Sequence, residues 1–335
     1  MTPQEPIPHW PGELITLDRG HQVYVRRTTE KTGEPAQKEA AQKEAAQKEA
    51  AQKEAAQKEA ALCIHGLAGS SRNWTDLIDL LRPRLACAAL DLPGFGDSPP
   101  RPDHRYSIVA LAQTVEALIE KQANQVHLIA SSLGGAVAVK LAATRPDLIK
   151  TLTLISPALP DPRPHLDQVH FAVISLPGVG PRVLRKYDAL PPRSRVADVI
   201  ATCFADPARF PQQRFAAEVA ELAQRDTLDH ATAALIGTIR TLTADFFRKG
   251  RHTAWRDAAR ITAPTLVIYG SQDRVVDPRQ AGRAARAFPN SKIVVLPRTG
   301  HLAHMEHPAQ VAAEITAMLD ATAVKTREFP LTPAG

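Results

Sequence analysis

From residue 61 onward, short apolar runs alternate with longer helical patterns, and this alternation restricts the chain more than any other feature. The runs at 62–65, 85–90, 125–130, 150–155, 264–269 and 292–297 have the length and composition of buried strands. Between and after them, the patterns at 71–82, 107–121, 133–144, 278–287 and 308–320 predict helices. Strand and helix in strict succession imply right-handed βαβ units and a mostly parallel sheet covered on both faces. Leu14 to Leu17 and Val23 to Arg26 alternate as an antiparallel hairpin does, and so add two strands at the start. The succession stops between 157 and 258, which opens with the Pro-rich SPALPDPRPH, carries helical patterns at 194–204, 212–225 and 231–247, and offers no convincing strand. The expected organisation is therefore a core built from residues 1–35 and 61–156, a helical cap over 157–258, a second core segment over 259–322, and a disordered tail over 323–335.

Residues 36–60 stand apart as five consecutive copies of Ala-Gln-Lys-Glu-Ala. Glu39 and Lys43, Glu44 and Lys48, Glu49 and Lys53, and Glu54 and Lys58 fall at i and i+4 with the acid first. That orientation supports a helix by about 0.2 to 0.5 kcal/mol per pair. A five-residue period turns about 500° on a helix, so no face stays apolar and the segment is expected as an exposed helix or spacer. Nothing in the repeat identifies a partner. It joins TGEPA to ALCIHGLAG and reads as an insert in a tolerant loop.

Each repeat copy is neutral, so the formal net charge of +6 belongs to the rest of the chain. No long basic block accompanies it and aromatic residues make up only 5%, which argues against nucleic-acid binding. Cys63, Cys87 and Cys203 cannot all pair within one chain and lack metal-ligand spacing, which fits a reducing compartment and a cytoplasmic protein without a bound metal. The first twenty residues carry no signal-peptide pattern, and no run of about 18 apolar residues predicts a membrane span.

The chemistry is concentrated where strand candidates end. IASSLGGA, residues 129–136, places Ser132 between a strand and a helix with Ala130 and Gly134 two residues to either side. A sharp strand-to-helix turn tolerates only small residues at those positions and holds the serine in a strained conformation, which makes Ser132 the candidate nucleophile. HGLAGSS, residues 65–71, follows another strand, and the backbone N–H groups of Leu67 and Leu133 are the candidate oxyanion donors. His65, Gly66 and Gly134 are read as shaping the turns. A serine needs a base, and the base needs a carboxylate to fix its tautomer. His301, in RTGHLAHMEHP, and Asp273, in YGSQDRVVD, supply them in the required order, each just after a strand. Asp277 reads instead as a helix cap before Pro278, Asp91 and Asp97 as turn residues, and His304 and His307 as helix-start and surface residues.

These motifs, with DLPGFGDS at 91–98, resemble the α/β-hydrolase superfamily over about residues 13–320 apart from the repeat. The resemblance implies an eight-stranded, mostly parallel sheet flanked by helices, the triad of Ser132, Asp273 and His301, and no metal or organic cofactor. It also places the repeat between the second and third strands, away from the site. Serine at the elbow disfavours dehalogenase and epoxide hydrolase chemistry, which use aspartate there. Carbon–carbon bond hydrolases resemble the chain more closely, but they carry Trp where it has Leu302, and Asn or His where it has Ser131. The aliphatic segment at 171–184 in the cap points to an apolar acyl group. The expected activity is hydrolysis of a small-molecule carboxylic ester or thioester through an acyl-enzyme on Ser132. A carbon–carbon bond hydrolase of a dienoic keto acid and a non-catalytic binding protein of the same fold are the alternatives.

Overall fold

The structure is a computed structural model that describes residues 7–28, 58–161, 173–247 and 253–328. Eight strands form one sheet: β1 (Gly12–Thr16), β2 (Gln22–Arg27), β3 (Glu59–Ile64), β4 (Leu85–Leu90), β5 (Val126–Ser131), β6 (Ile149–Ile155), β7 (Thr265–Gly270) and β8 (Ser291–Leu296). Their spatial order is β1-β2-β4-β3-β5-β6-β7-β8. β1 pairs antiparallel with β2, and β2 antiparallel with β4; all other pairings are parallel.

Period-two alternation sorts the strand side chains between two cores. Leu62, Ile64, Leu90, Leu128, Val267 and Tyr269 face one side. There they meet α2 (Ile108–Gln122), α3 (Leu133–Thr144) and residues of two later helices, α8 (Ala254–Ala258) and α9 (Gln280–Ala287). Cys63, Cys87, Ile129, Leu266 and Ile268 face the other side, against α1 (Thr75–Leu81) and the long α11 (Pro308–Glu328). Burial on both faces explains why these strands read as nearly continuous apolar runs rather than as polar and apolar in turn. α11 runs to Glu328, past the point where a tail is expected. Its residues from 323 on continue the helix begun at Pro308.

Between β6 and β7 lie α4 (Val179–Asp188), α5 (Pro192–Cys203), α6 (Gln212–Arg225), α7 (Ala231–Phe247) and α8, with no strand among the described residues. α6 is tied to the rest by Arg72 to Glu221 at 2.9 Å and Arg214 to Asp76 at 2.6 Å. Arg214 also donates to the Ile7 carbonyl, and Arg225 to that of Ala68 at 3.3 Å.

The repeat falls between β2 and β3, and residues 36–57 of it lie outside the described residues, so the exposed-helix expectation does too. Its last residues are a correction: Glu59 and Ala60 belong to β3, opposite Leu85 and Ala86. Two partners hold Glu59 in the sheet, His127 Nε2 at 2.8 Å and the Lys150 ammonium.

Thr28 lies beside Cys87 and β3 begins beside Leu85, so the connection has only to pass β4, about 10 Å at two strand spacings. Residues 29–35 alone reach about 23 Å. Excising 36–57 is expected to leave the thermal midpoint unchanged. Excising 36–60 puts Pro35, which has no N–H, immediately before Ala61 and removes two strand residues. It is expected to cost about 1 to 3 kcal/mol in a urea unfolding titration.

Candidate active site

Ser132 sits between β5 and α3 with φ 51° and ψ −117°, in the left-handed half of backbone space that a residue with a Cβ rarely enters. The strain is held by backbone bonds on both sides. Ser132 N–H donates to Ile155 O at 3.0 Å, and Ser132 O accepts from Ala136 at 3.2 Å and Ala158 at 2.9 Å. Gly134 lets the first turn of α3 press against the end of β3. A Cβ at 134 would stand 2.4 Å from Ile64 O and 2.6 Å from His65 O. Gly66 borders the serine itself, where an added Cβ would stand 3.1 Å from Ser132 Cβ. The turn carrying Leu67 is thus brought against the serine. No hydrogen bond from the N–H of Leu67 or Leu133 is made among the described residues. For Leu133 this follows from its place at a helix start, where N–H groups have no partner within the helix.

His301 and Asp273 meet as a buried pair, with His301 Nδ1 2.9 Å from Asp273 Oδ2 and 3.1 Å from Oδ1. Asp273 Oδ1 also accepts from the N–H groups of Val275 at 2.8 Å and Val276 at 2.9 Å. Burial works against the ionised carboxylate, but the His301 ring, the Val276 N–H and Ser156 beside it outweigh burial and hold its pKa below the ordinary value. This is a carboxylate that fixes an imidazole with Nδ1 protonated and Nε2 free to accept a proton.

His65 is bonded on both ring nitrogens within and beside the turn after β3, which fixes one tautomer. Its Nε2 accepts from Leu92 N–H at 2.9 Å, so its Nδ1 proton goes to Gly66 O at 2.7 Å. Burial pushes its pKa down to about 4, against the opposing pull of the Gly66 carbonyl and Glu221. Asp277 Oδ1 accepts from Arg279 N–H at 2.9 Å in the turn ahead of α9; the N-cap of that helix is Arg279, without a side-chain cap bond, so Asp277 is a turn residue and not the expected helix cap. Asp91 accepts N–H bonds from Ser71 and Asp97, and Asp97 pairs with Arg26 at 2.8 Å.

His304 is the correction here. It is not a surface residue but is 1% exposed, with its ring stacked on Trp74 at 4.2 Å between centroids. Burial, then the neighbouring His301, lowers its pKa to about 3. Glu306, in the segment RTGHLAHMEHP that also carries His301, is buried in α10 (Ala303–Glu306) and accepts Gly300 N–H at 2.7 Å. Cys203, at the end of α5, gives its carbonyl to His301 N–H at 2.7 Å. Its thiol is pushed up to about 12 by burial and by the Asp273 charge. Among the described residues no three His, Cys, Asp or Glu side chains gather as a metal site, and no helix is long and apolar enough to cross a membrane.

A family model for the alpha/beta hydrolase fold matches residues 61–308, and the chain belongs to that family. The acetyltransferase component of an acetoin cleaving system from Pseudomonas putida is 28% identical over 76% of this chain, which spans only 62% of that relative's length. A monoacylglycerol lipase of Xenopus laevis, abhd6-A, is 26% identical over 77% of this chain and 74% of its own. Among solved structures, a putative lipase from Acinetobacter baumannii superimposes with a TM-score of 0.71 at 18% identity, covering 94% of this chain and 92% of that one. At that identity the likeness is one of fold.

Two outcomes follow from this geometry. Gly134→Ala is expected to displace Ser132 and cost about 1 to 3 kcal/mol, the range for overpacking a tight site, measured by chemical denaturation. Between the ordinary histidine value of 6.5 and about 4, the unfolded chain takes up a proton at position 65 that the folded chain refuses. Stability therefore falls as pH drops through that window, by about 3 kcal/mol from His65 alone. His304→Phe keeps the contact with Trp74 while removing the second such histidine, and is expected to flatten the acid side of a stability profile taken by urea titration.

Proposed function

We propose that the chain is a serine hydrolase of carboxylic esters, or thioesters, with apolar acyl groups, acting through an acyl-enzyme on Ser132. The observation that carries this reading is the buried His301–Asp273 pair, on loops that follow neighbouring strands of the sheet whose β5 end presents the strained Ser132. Ser132 Oγ attacks the acyl carbonyl carbon while His301 Nε2 takes its proton and Asp273 stabilises the resulting imidazolium. The carbonyl oxygen becomes an oxyanion held by the N–H groups of Leu67 and Leu133. As the intermediate collapses, the bond to the alcohol breaks and His301 returns the proton to the leaving oxygen. Water then repeats the sequence on the acyl-enzyme, releasing the acid and restoring the serine.

The acyl preference rests on what surrounds the reacting groups. Leu67 packs against Ile174, Leu184, Ile236 and Ile239 from the helices between β6 and β7. Leu302, next to His301, packs against a second apolar cluster that includes Val196, Ile200 and Phe204. Apolar side chains next to the candidate oxyanion donor and next to His301 favour an apolar ligand. The similarity to a monoacylglycerol lipase supports the ester class.

Labelling with a fluorophosphonate followed by peptide mass spectrometry tests the nucleophile without a choice of substrate. The adduct is expected on Ser132 and is lost in His301→Ala; an adduct elsewhere, or none on folded protein, overturns the reading. With an ester in hand, Ser132→Ala is expected to lower kcat by about 10⁶. Asp273→Asn is expected to lower it by about 10⁴ through the histidine tautomer. A larger loss in Asp277→Asn would move the acid role to position 277.

A further inference from the structure

The loop that carries His301 is fastened to the helical layer between β6 and β7 at two points, and both act within one residue of the imidazole. The first is the Cys203 carbonyl, which accepts from His301 N–H at 2.7 Å and from Leu302 N–H at 3.3 Å. The second is the Glu306 carboxylate. Its Oε2 accepts from Gly300 N–H at 2.7 Å and from Ala205 N–H at 3.2 Å, and its Oε1 from Asp206 N–H at 2.9 Å. Glu306 is 4% exposed, so the cost of taking a carboxylate out of water is offset by three backbone donors. One of those donors belongs to the residue before His301, and two belong to the chain leaving α5.

The fit between the two segments leaves no slack. Gly300 lies so close to residues 203–205 that a Cβ there would stand 2.4 Å from Cys203 O and 2.6 Å from Ala205 N. On either side of the latch, Phe204 is buried with Leu302 and Met305 in the apolar cluster of α5 and α6. Residues 203–206 and 300–306 therefore form one packed unit. Displacing α5 displaces the backbone of His301, while Asp273 stays with the loop after β7.

We propose that Glu306 is a positioning residue for His301, one that makes the alignment of the histidine depend on the seating of the helical layer. This role rests on the ester-hydrolase reading above. Only an acceptor-only side chain suits the site, because all three neighbours are N–H donors. In Glu306→Gln one oxygen becomes an amide donor facing backbone donors, and Gly300 or the 205–206 segment loses its partner. The histidine then loses its alignment toward Ser132, whereas the apolar walls that hold the acyl group remain. The consequence falls on the chemical step and not on binding.

The experiment compares wild type with Glu306→Gln, Glu306→Ala and Gly300→Ala in three measurements: the rate of fluorophosphonate labelling at Ser132, kcat and KM on p-nitrophenyl butyrate, and amide hydrogen exchange at Gly300, Ala205 and Asp206. In Glu306→Gln, labelling and kcat are both expected to fall about 10²-fold, the scale of a reacting group misplaced by about 1 Å. KM is expected to stay within about twofold, and exchange at the three amides to accelerate. Gly300→Ala, which pushes the two segments apart without touching the carboxylate, is expected to give the same split between kcat and KM. If Glu306→Ala does not fold, the other two variants decide. Faster exchange with labelling and kcat at the wild-type level overturns the proposal, as does a raised KM with kcat unchanged. Failure of wild type itself to label at Ser132 removes the ester reading and this role with it. Normal wild-type labelling with an unaffected Glu306→Gln removes the role of Glu306 alone.

Discussion

The first turn of α3 rests on the carbonyl oxygens of Ile64 and His65, and the arrangement of the site depends on that approach. It fixes where the helix starts relative to β3, and so where the strained Ser132 stands relative to the turn holding Leu67. The constraint is steric and local, but its support is spread across the sheet. β3 and β5 are adjacent and parallel, so two loops that leave their C-terminal ends emerge side by side. β6, β7 and β8 continue the same direction and bring Asp273 and His301 to the same end. Crevices outside the carboxyl ends of parallel strands are where open α/β sheets bind ligands, and here the backbone is shaped there at the cost of a positive φ in a residue other than glycine.

The helices between β6 and β7 take part in both halves of this arrangement. Arg225 reaches the carbonyl of Ala68 in the turn after β3, and Cys203 takes the N–H of His301. Apolar contacts run alongside, from Leu67 to one cluster and from Leu302 to another. Leu67 and Leu302 thus have their side chains against the helical layer, while Ser132 and Asp273 are placed by the loops that leave β5 and β7.

Much of this was legible in the chain. The strands are legible to within a few residues because burial on both faces leaves continuous apolar runs, and Ser132, Asp273 and His301 can be singled out as candidates because each follows one. What stayed hidden needed partners distant in sequence. Glu59 and Ala60 carry the composition of the repeat, and only His127, Lys150 and the neighbouring strand make them part of β3. α4 lies in a stretch rich in Pro and Gly that also leaves Leu176, Val179 and Val183 exposed, which blurs a helical period. His304 looks like a helix-start residue until Trp74, 230 positions earlier, covers it. Glu306 stands five residues after His301, but two of its three donors come from about a hundred residues upstream.

The way β3 begins also bears on how this gene can vary. The final copy of the five-residue unit hands its Glu-Ala to the sheet, where Glu59 is gripped by His127 and Lys150. Every copy ends in the same two residues. Gain or loss of whole units by slippage during replication therefore delivers an identical strand start each time, with the same acid in the same grip and no change of register. A change of whole units keeps that start, while a change that removed the final Glu-Ala would shorten β3 and take the acid away from His127 and Lys150.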